Sequence, residues 1–148
     1  MITTWTQSCN LVDDDLVSVM ILGEPASKAN SRRLVSLGGK PRFIKSRKAL
    51  DYTKAFKEQC PTRKELFKED VFVALKIYYK SRRPDLDPSL ILDLLQGQIY
   101  TNDRLVKGQY VEWGLDRENP RTLIVVTGLD NKDLAIEKLS ELVKEKGE

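Results

Sequence analysis

The sequence predicts an α+β domain: a mixed, mostly antiparallel sheet with helices packed on one face. Three observations predict it. Residues 71–79 alternate Val71, Val73, Leu75, Ile77 and Tyr79 with Phe72, Ala74, Lys76 and Tyr78, a period of two in strand-forming residues. After Ser46, the residues Ala49, Leu50, Thr53, Phe56 and Cys60 recur at helical spacing. The elements then follow the order β, loop or β, α, β, α, β, β, α, which fits neither a regular βαβ repeat nor an all-β chain.

Taken in order, residues 16–22 are apolar and partly β-branched, and they stop at Gly23-Glu24-Pro25, so they predict a strand. Residues 26–40 are polar and basic and end in Gly38-Gly39, the composition of a loop or hairpin excursion. Residues 41–44 predict a short strand. Ser46 is a candidate N-cap for a helix over 47–59, which Pro61 closes. A basic loop, 80–84, follows the strand over 71–79. Asp87 is placed to cap a short helix, 89–96, with Pro88 at its first position and Gly97 beyond its end. Residues 105–113 and 121–127 predict two strands joined by the loop 114–120. Asp130 is placed to cap a last helix through Lys146, with Leu134, Ala135, Leu139, Leu142 and Val143 on its buried side.

The 148 residues suit one domain: a mobile acidic tail over 1–15, then a single domain over 16–148. No apolar run approaches the roughly 20 residues of a membrane span, so no membrane contact is expected. Residues 1–10 have no base before an apolar stretch, unlike a secretory signal. Cys9 and Cys60 are too few and too far apart for a metal knuckle or a disulfide framework, which fits a reducing, cytoplasmic setting. There is no histidine. That removes the commonest general base, the usual zinc ligand and the Ser-His and Cys-His pairs. A metal would have to be held by oxygen, and oxygen sites favour hard ions.

The net charge of +3 conceals segregation. Residues 1–27 carry four acids and no base. Residues 28–57 carry ten bases, Lys28, Arg32, Arg33, Lys40, Arg42, Lys45, Arg47, Lys48, Lys54 and Lys57, against Asp51 alone. A basic block of this density has the character of a polyanion footprint. With Arg82 and Arg83 it supplies the candidate nucleic-acid-binding residues: Lys28, Arg32, Arg33, Lys40, Arg42, Lys45, Arg47, Lys48, Arg82 and Arg83. Phe43, Tyr52 and Tyr100 are candidates for base stacking, although core packing is the commoner fate of such residues.

The chemistry-bearing run is Arg82-Arg83-Pro84-Asp85-Leu86-Asp87-Pro88, followed by Asn102-Asp103. Pro88 biases Asp87 towards extended backbone, where residues two apart point the same way. Asp85 and Asp87 would then share one side and repel, a penalty that a divalent cation removes. A short helix ending at Gly97 lets the chain turn back, which predicts Asp103 beside the helix start. Three carboxylates near a helix N-terminus, flanked by Arg82, Arg83 and Arg104, suit a Mg²⁺ ion next to a phosphate. Asp93 is a possible supporting carboxylate. The bland alternative for each aspartate is a solvated cap or turn.

Pro84-Asp85-Leu86-Asp87-Pro88, then Leu92-Asp93-Leu94-Leu95-Gln96-Gly97, then Tyr100-Thr101-Asn102-Asp103 resembles the signature of the RusA-type Holliday junction resolvases. The resemblance covers residues 16–127, with a first strand, a proline, a loop rich in Lys, Arg and Asn, a short strand and a helix. It implies a RusA-like fold and an endonuclease that resolves four-way and related branched DNA by paired symmetric nicks. It implies Asp85, Asp87 and Asp103 as catalytic, metal-binding carboxylates, Mg²⁺ as cofactor with Mn²⁺ able to substitute, a homodimer, and a bacterial or phage-infected cell. The dimer also has a physical argument, because two symmetric cuts need two symmetric sites. The strand over 71–79 and the C-terminal helix are candidate dimer surfaces. The sequence departs from the family where Pro88 replaces an Asn, where Asn102 replaces the first Asp of a pair, and where Ile91 replaces a helix lysine. Lys80, Lys107 and Arg83 are the candidates to replace that lysine. The departures leave a catalytically weakened or inactive branched-DNA-binding relative as the alternative function.

Overall fold

The computed structural model describes residues 11–12, 15–27 and 32–147. In chain order the elements are strands β1 (Leu11–Val12), β2 (Leu16–Leu22), β3 (Arg32–Leu37) and β4 (Lys40–Lys45), helix α1 (Arg47–Gln59), strand β5 (Val71–Tyr79), helix α2 (Ser89–Leu95), strands β6 (Val106–Leu115) and β7 (Arg121–Gly128), and helix α3 (Lys132–Leu142). Five strands form one sheet in the order β1-β2-β7-β5-β6. Its first three pairings are antiparallel and β5–β6 is parallel. The fold is therefore a mixed, mostly antiparallel α+β arrangement.

The period-two pattern fixes which side each strand residue takes. Val17, Val19, Ile21, Val71, Val73, Leu75, Ile77, Tyr79, Ile124 and Val126 share one core with Ala49, Tyr52 and Phe56 of α1 and with Leu90, Ile91, Leu94 and Leu95 of α2. Alternate residues, among them Met20, Phe72, Ala74, Tyr78, Leu123 and Val125, share a second core with Ala135, Leu139 and Leu142 of α3. Helices packed on one face describes α1 and α2, and α3 covers the opposite face. β2, β5 and β7 are accordingly buried at nearly every position, on both of their faces.

Other boundaries shift for local reasons. The strands expected over 105–113 and 121–127 do not pair with each other, because β5 lies between them. Every residue of β5 is buried, so that strand offers no surface to a second copy. The last helix begins at Lys132 after a 3-10 turn over Leu129–Asn131, and Leu134 is exposed rather than buried. Part of the supposed tail, Leu11–Val12, pairs with Val17 and Ser18 of β2. The rest of the tail, apart from Asp15, lies outside the described residues. No helix among the described residues is long and apolar enough to cross a membrane.

Strands β3 and β4 form a separate two-stranded hairpin, with Arg32 opposite Lys45 and Leu37 opposite Lys40. Its turn is Gly38-Gly39, at φ 59° and 80°. Two consecutive left-handed residues make the tight turn that matches strand twist, and glycine reaches them without steric cost.

On edge strand β6 the parallel register sets Gly114 beside Tyr78. A Cβ there would stand 2.8 Å from Tyr78 Cδ1. The bare backbone therefore lets the Tyr78 ring lie flat across the strand. The Arg121 guanidinium covers that ring at 4.1 Å and is itself paired with Asp116 at 2.6 Å.

Candidate metal and nucleic-acid site

Strand β5 ends at Tyr79, and the chain then runs through the basic loop 80–83 into the acidic run. Two aromatic side chains hold that run. The Asp87 N–H donates to the Tyr79 hydroxyl at 3.2 Å. The Trp113 indole Nε1–H donates to the Pro84 carbonyl at 3.1 Å. The Tyr79 and Trp113 rings stack with centroids 5.9 Å apart.

Asp87 does not occupy the N-cap position of α2, which Pro88 takes. Its carboxylate still caps the helix from one residue earlier: Oδ1 accepts from the Ser89 N–H at 2.9 Å and from the Ser89 hydroxyl at 2.6 Å. A Pro at the cap has no side-chain acceptor, so the preceding Asp supplies one.

Burial, and then the carboxylates of Asp87, Glu24 and Asp85, hold the Tyr79 phenol above its usual value, outweighing the Asp87 N–H bond that favours ionisation. Tyr79 therefore stays protonated. Sequence reasoning missed Glu24. Its only signal was its place in Gly23-Glu24-Pro25, at the end of the first strand. Its side chain is nearly buried and is shared between two basic segments. Oε1 meets Lys48 Nζ of α1 at 2.6 Å, and Oε2 accepts from the Lys80 N–H at 2.8 Å. Burial pushes the Glu24 carboxyl up, but the Lys48 and Lys80 bonds outweigh it and leave it below the usual range.

That node organises the basic residues. The β3–β4 hairpin is inserted between Glu24-Pro25 and the start of α1, so the Glu24–Lys48 pair ties its two roots together. Ser46 caps α1 as the spacing predicts, accepting from the Ala49 N–H at 3.2 Å. Lys40, Arg47, Lys48, Lys80, Arg82 and Arg83 are exposed. Arg47 pairs with Asp51 at 3.3 Å. Arg32, Arg33, Arg42 and Lys45 belong to the hairpin backbone, and their side chains fall outside the described atoms, as does Phe43's. Lys28 lies outside the described residues. Tyr52 and Tyr100 are core residues and present no face to a base.

Asp103 is anchored elsewhere. Its N–H donates to Gln96 Oε1 at 2.8 Å, so its backbone is tied to the C-terminal end of α2 rather than to its start. With α2 spanning seven residues, about 10 Å at 1.5 Å per residue, those ends are distinct places. The acids felt by the Tyr100 phenol are Asp103 and Asp93; burial first, then these two, raise it. Among the described residues no three acidic or thiol side chains group closely enough to hold a metal ion. Asp85, Asp87 and Asp103 therefore do not stand as a ready-made ligand set. Lys107 lies near the start of β6, and Trp113 near its end, about 20 Å away at ~3.3 Å per residue. Lys80 is the candidate lysine on the side of the Asp85–Asp87 run. Ile91, where the resembled family carries its lysine, is fully buried in the core.

The arrangement can offer two hard oxygen donors to a cation and, on exposed loop residues beside them, several cations to an anion. No protein-family model matches the chain, and no curated protein matches it by sequence.

Proposed function

We propose that this chain is a Mg²⁺-dependent endodeoxyribonuclease that acts on branched DNA, resolving four-way junctions by paired nicks as a homodimer. The observation that supports it is the anchoring of Asp87 on the Tyr79 hydroxyl, beside the basic loop whose Lys80 is joined through Glu24 to Lys48 of α1. A polyanion held by the hairpin and the 80–83 loop would bring a phosphate to the acid pair. Such contacts position the backbone without reading its sequence.

The residues fit a Mg²⁺ site of a particular kind. Mg²⁺ keeps several waters and takes one or two carboxylates together with substrate phosphate, rather than a full protein cage. Asp85 and Asp87 would be those carboxylates, and the absence of histidine suits a hard ion, for which Mn²⁺ would substitute. Bound there, the ion would neutralise charge on the phosphoryl oxygens and lower the pKa of a water. Asp103 joins the site by the RusA-type resemblance alone. Within the chain, Asp87 keeps its carboxylate oriented through Ser89, Tyr79 holds its proton, and Lys80, Arg82 and Arg83 supply positive charge to the strand being cut.

A second reading is a junction-binding relative without cleavage. It is favoured by the lack of any three-acid grouping among the described residues. One assay separates the two. The protein is incubated with a synthetic four-way junction or a linear duplex, in Mg²⁺ or in EDTA. The first reading predicts symmetric, metal-dependent nicks on the junction and few on the duplex. Tight junction binding with no nick in Mg²⁺ or Mn²⁺ selects the second, and equal weak binding to both DNAs rejects both.

A further inference from the structure

We propose that Tyr79 and Trp113 are positioning residues that clamp the 84–87 segment at both ends and thereby set the separation of the Asp85 and Asp87 carboxylates presented to a divalent cation. The inference deepens the nuclease reading and rests on it for the identity of the cation.

The clamp is built from two neighbouring strands. Tyr79 ends β5, and Trp113 lies on β6, where the parallel register pairs it with Ile77. The two rings stack across one strand pair, with Tyr79 buried and Trp113 half-buried. Each ring offers one polar atom to the segment. Trp113 donates to the carbonyl of Pro84, immediately before Asp85. Tyr79 accepts from the N–H of Asp87. The two aspartates are thus bracketed by two hydrogen bonds whose donor and acceptor share one rigid stack.

Such a bracket is needed here. Pro84 has no N–H and Pro88 has none, so the segment cannot be held by a regular backbone ladder at either proline. Leu86 is exposed, so packing of the middle residue does not hold it either. Unclamped, two like charges two residues apart would splay to lower their repulsion. Partners of this outer kind typically change metal affinity by about 10- to 100-fold when removed.

The test uses Trp113→Phe, which keeps a ring for stacking but loses the donor, and Tyr79→Phe, which loses the acceptor. Each is made in the full chain, with thermal unfolding as a control on folding. Hydrogen exchange by NMR reads each end while the other is altered. In Trp113→Phe the Asp87 amide, whose own partner is intact, should exchange about tenfold faster, the weight of roughly one hydrogen bond. In Tyr79→Phe the Trp113 indole N–H should do the same. Mn²⁺ binding to the DNA-free protein, counted by electron paramagnetic resonance, should weaken about tenfold in both. Unchanged exchange at the opposite end, or unchanged Mn²⁺ affinity, overturns the clamp, as does a wild type that binds no Mn²⁺. Coupled exchange in the two variants together with Mn²⁺ binding, in a protein whose wild type never nicks a junction, upholds the clamp and rejects the nuclease.

Discussion

Asp87→Asn is expected to lower junction cutting on the order of a thousandfold, ~4 kcal/mol in activation free energy, while leaving junction binding intact or tighter. The substitution is chosen for what it preserves. Asp87 Oδ1 accepts from the Ser89 amide and hydroxyl, and an amide oxygen accepts the same two bonds. Its main-chain bond to Tyr79 is untouched. The start of α2 should therefore stay in place, and only the negative charge is lost. Removing charge beside phosphates favours DNA binding, whereas a hard cation loses one of two anionic ligands. The check is single-turnover nicking of a synthetic four-way junction in Mg²⁺, with binding measured in EDTA. Cutting retained within tenfold would reject Asp87 as a ligand. Asp87→Ala, by contrast, also removes the cap and should cost about 1 kcal/mol of stability.

The largest effect on stability is expected at the other end of the acid–base spectrum of this fold, in Asp116→Ala. Arg121 is almost fully buried across the Tyr78 ring, and its guanidinium pairs with Asp116 Oδ2 at 2.6 Å. The Asn119 carbonyl accepts a second bond at 2.8 Å. Asp116 also shapes the β6–β7 loop, accepting from the Glu118 and Asn119 N–H groups at 3.1 and 3.0 Å. Removing it takes the paired carboxylate away from a buried cation, which costs about 3 kcal/mol. For a domain of this size that is ~10 °C in Tm. The sign with pH follows from the carboxyl itself. Burial pushes Asp116 up, but Arg121 and the two loop N–H groups outweigh it, so its folded value lies below the ordinary 3.8. A depressed acid contributes stability that is full above its unfolded value and is lost as pH falls through the folded one. The gap between wild type and Asp116→Ala, read by denaturant titration, should be widest near neutrality and close as pH drops below about 3.8. A gap that stays constant down to pH 2 would show that the ion pair is not its cause.

Much of this fold was legible because local and tertiary signals agree. Residues 16–22 and 71–79 form strands over the whole predicted stretch, and Ser46 caps a helix over 47–59. Gly38-Gly39 became a hairpin turn because two left-handed residues in a row leave few alternatives. What the chain did not disclose is long-range. Nothing local in residues 105–128 says that β5 inserts between β6 and β7, and only the double-sided burial of β2, β5 and β7 required α3 on the far face.

The site divides in the same way. Asp85 and Asp87 stand out in the sequence by their spacing, and Asp87 is tied through its N–H to the Tyr79 hydroxyl. The fold-back that would carry Asp103 to the start of α2 depends on which end of that helix receives it, and Gln96 fixes the C-terminal end. Glu24 and Trp113 were invisible as site residues, since one lies 61 positions before Asp85 and the other 28 after it. Ile91, which stands where the resembled family carries a lysine, is fully buried in the core, where an ammonium would have no partner.

The proposed nuclease requires one hard cation held between two carboxylates of the same short run. A crystal of the wild-type protein soaked in Mn²⁺, recorded for its anomalous signal, reads this directly. A peak is expected within coordinating distance of both Asp85 and Asp87, lost in Asp87→Asn. Absence of the peak there, or a peak only at another cluster of acids, would contradict it.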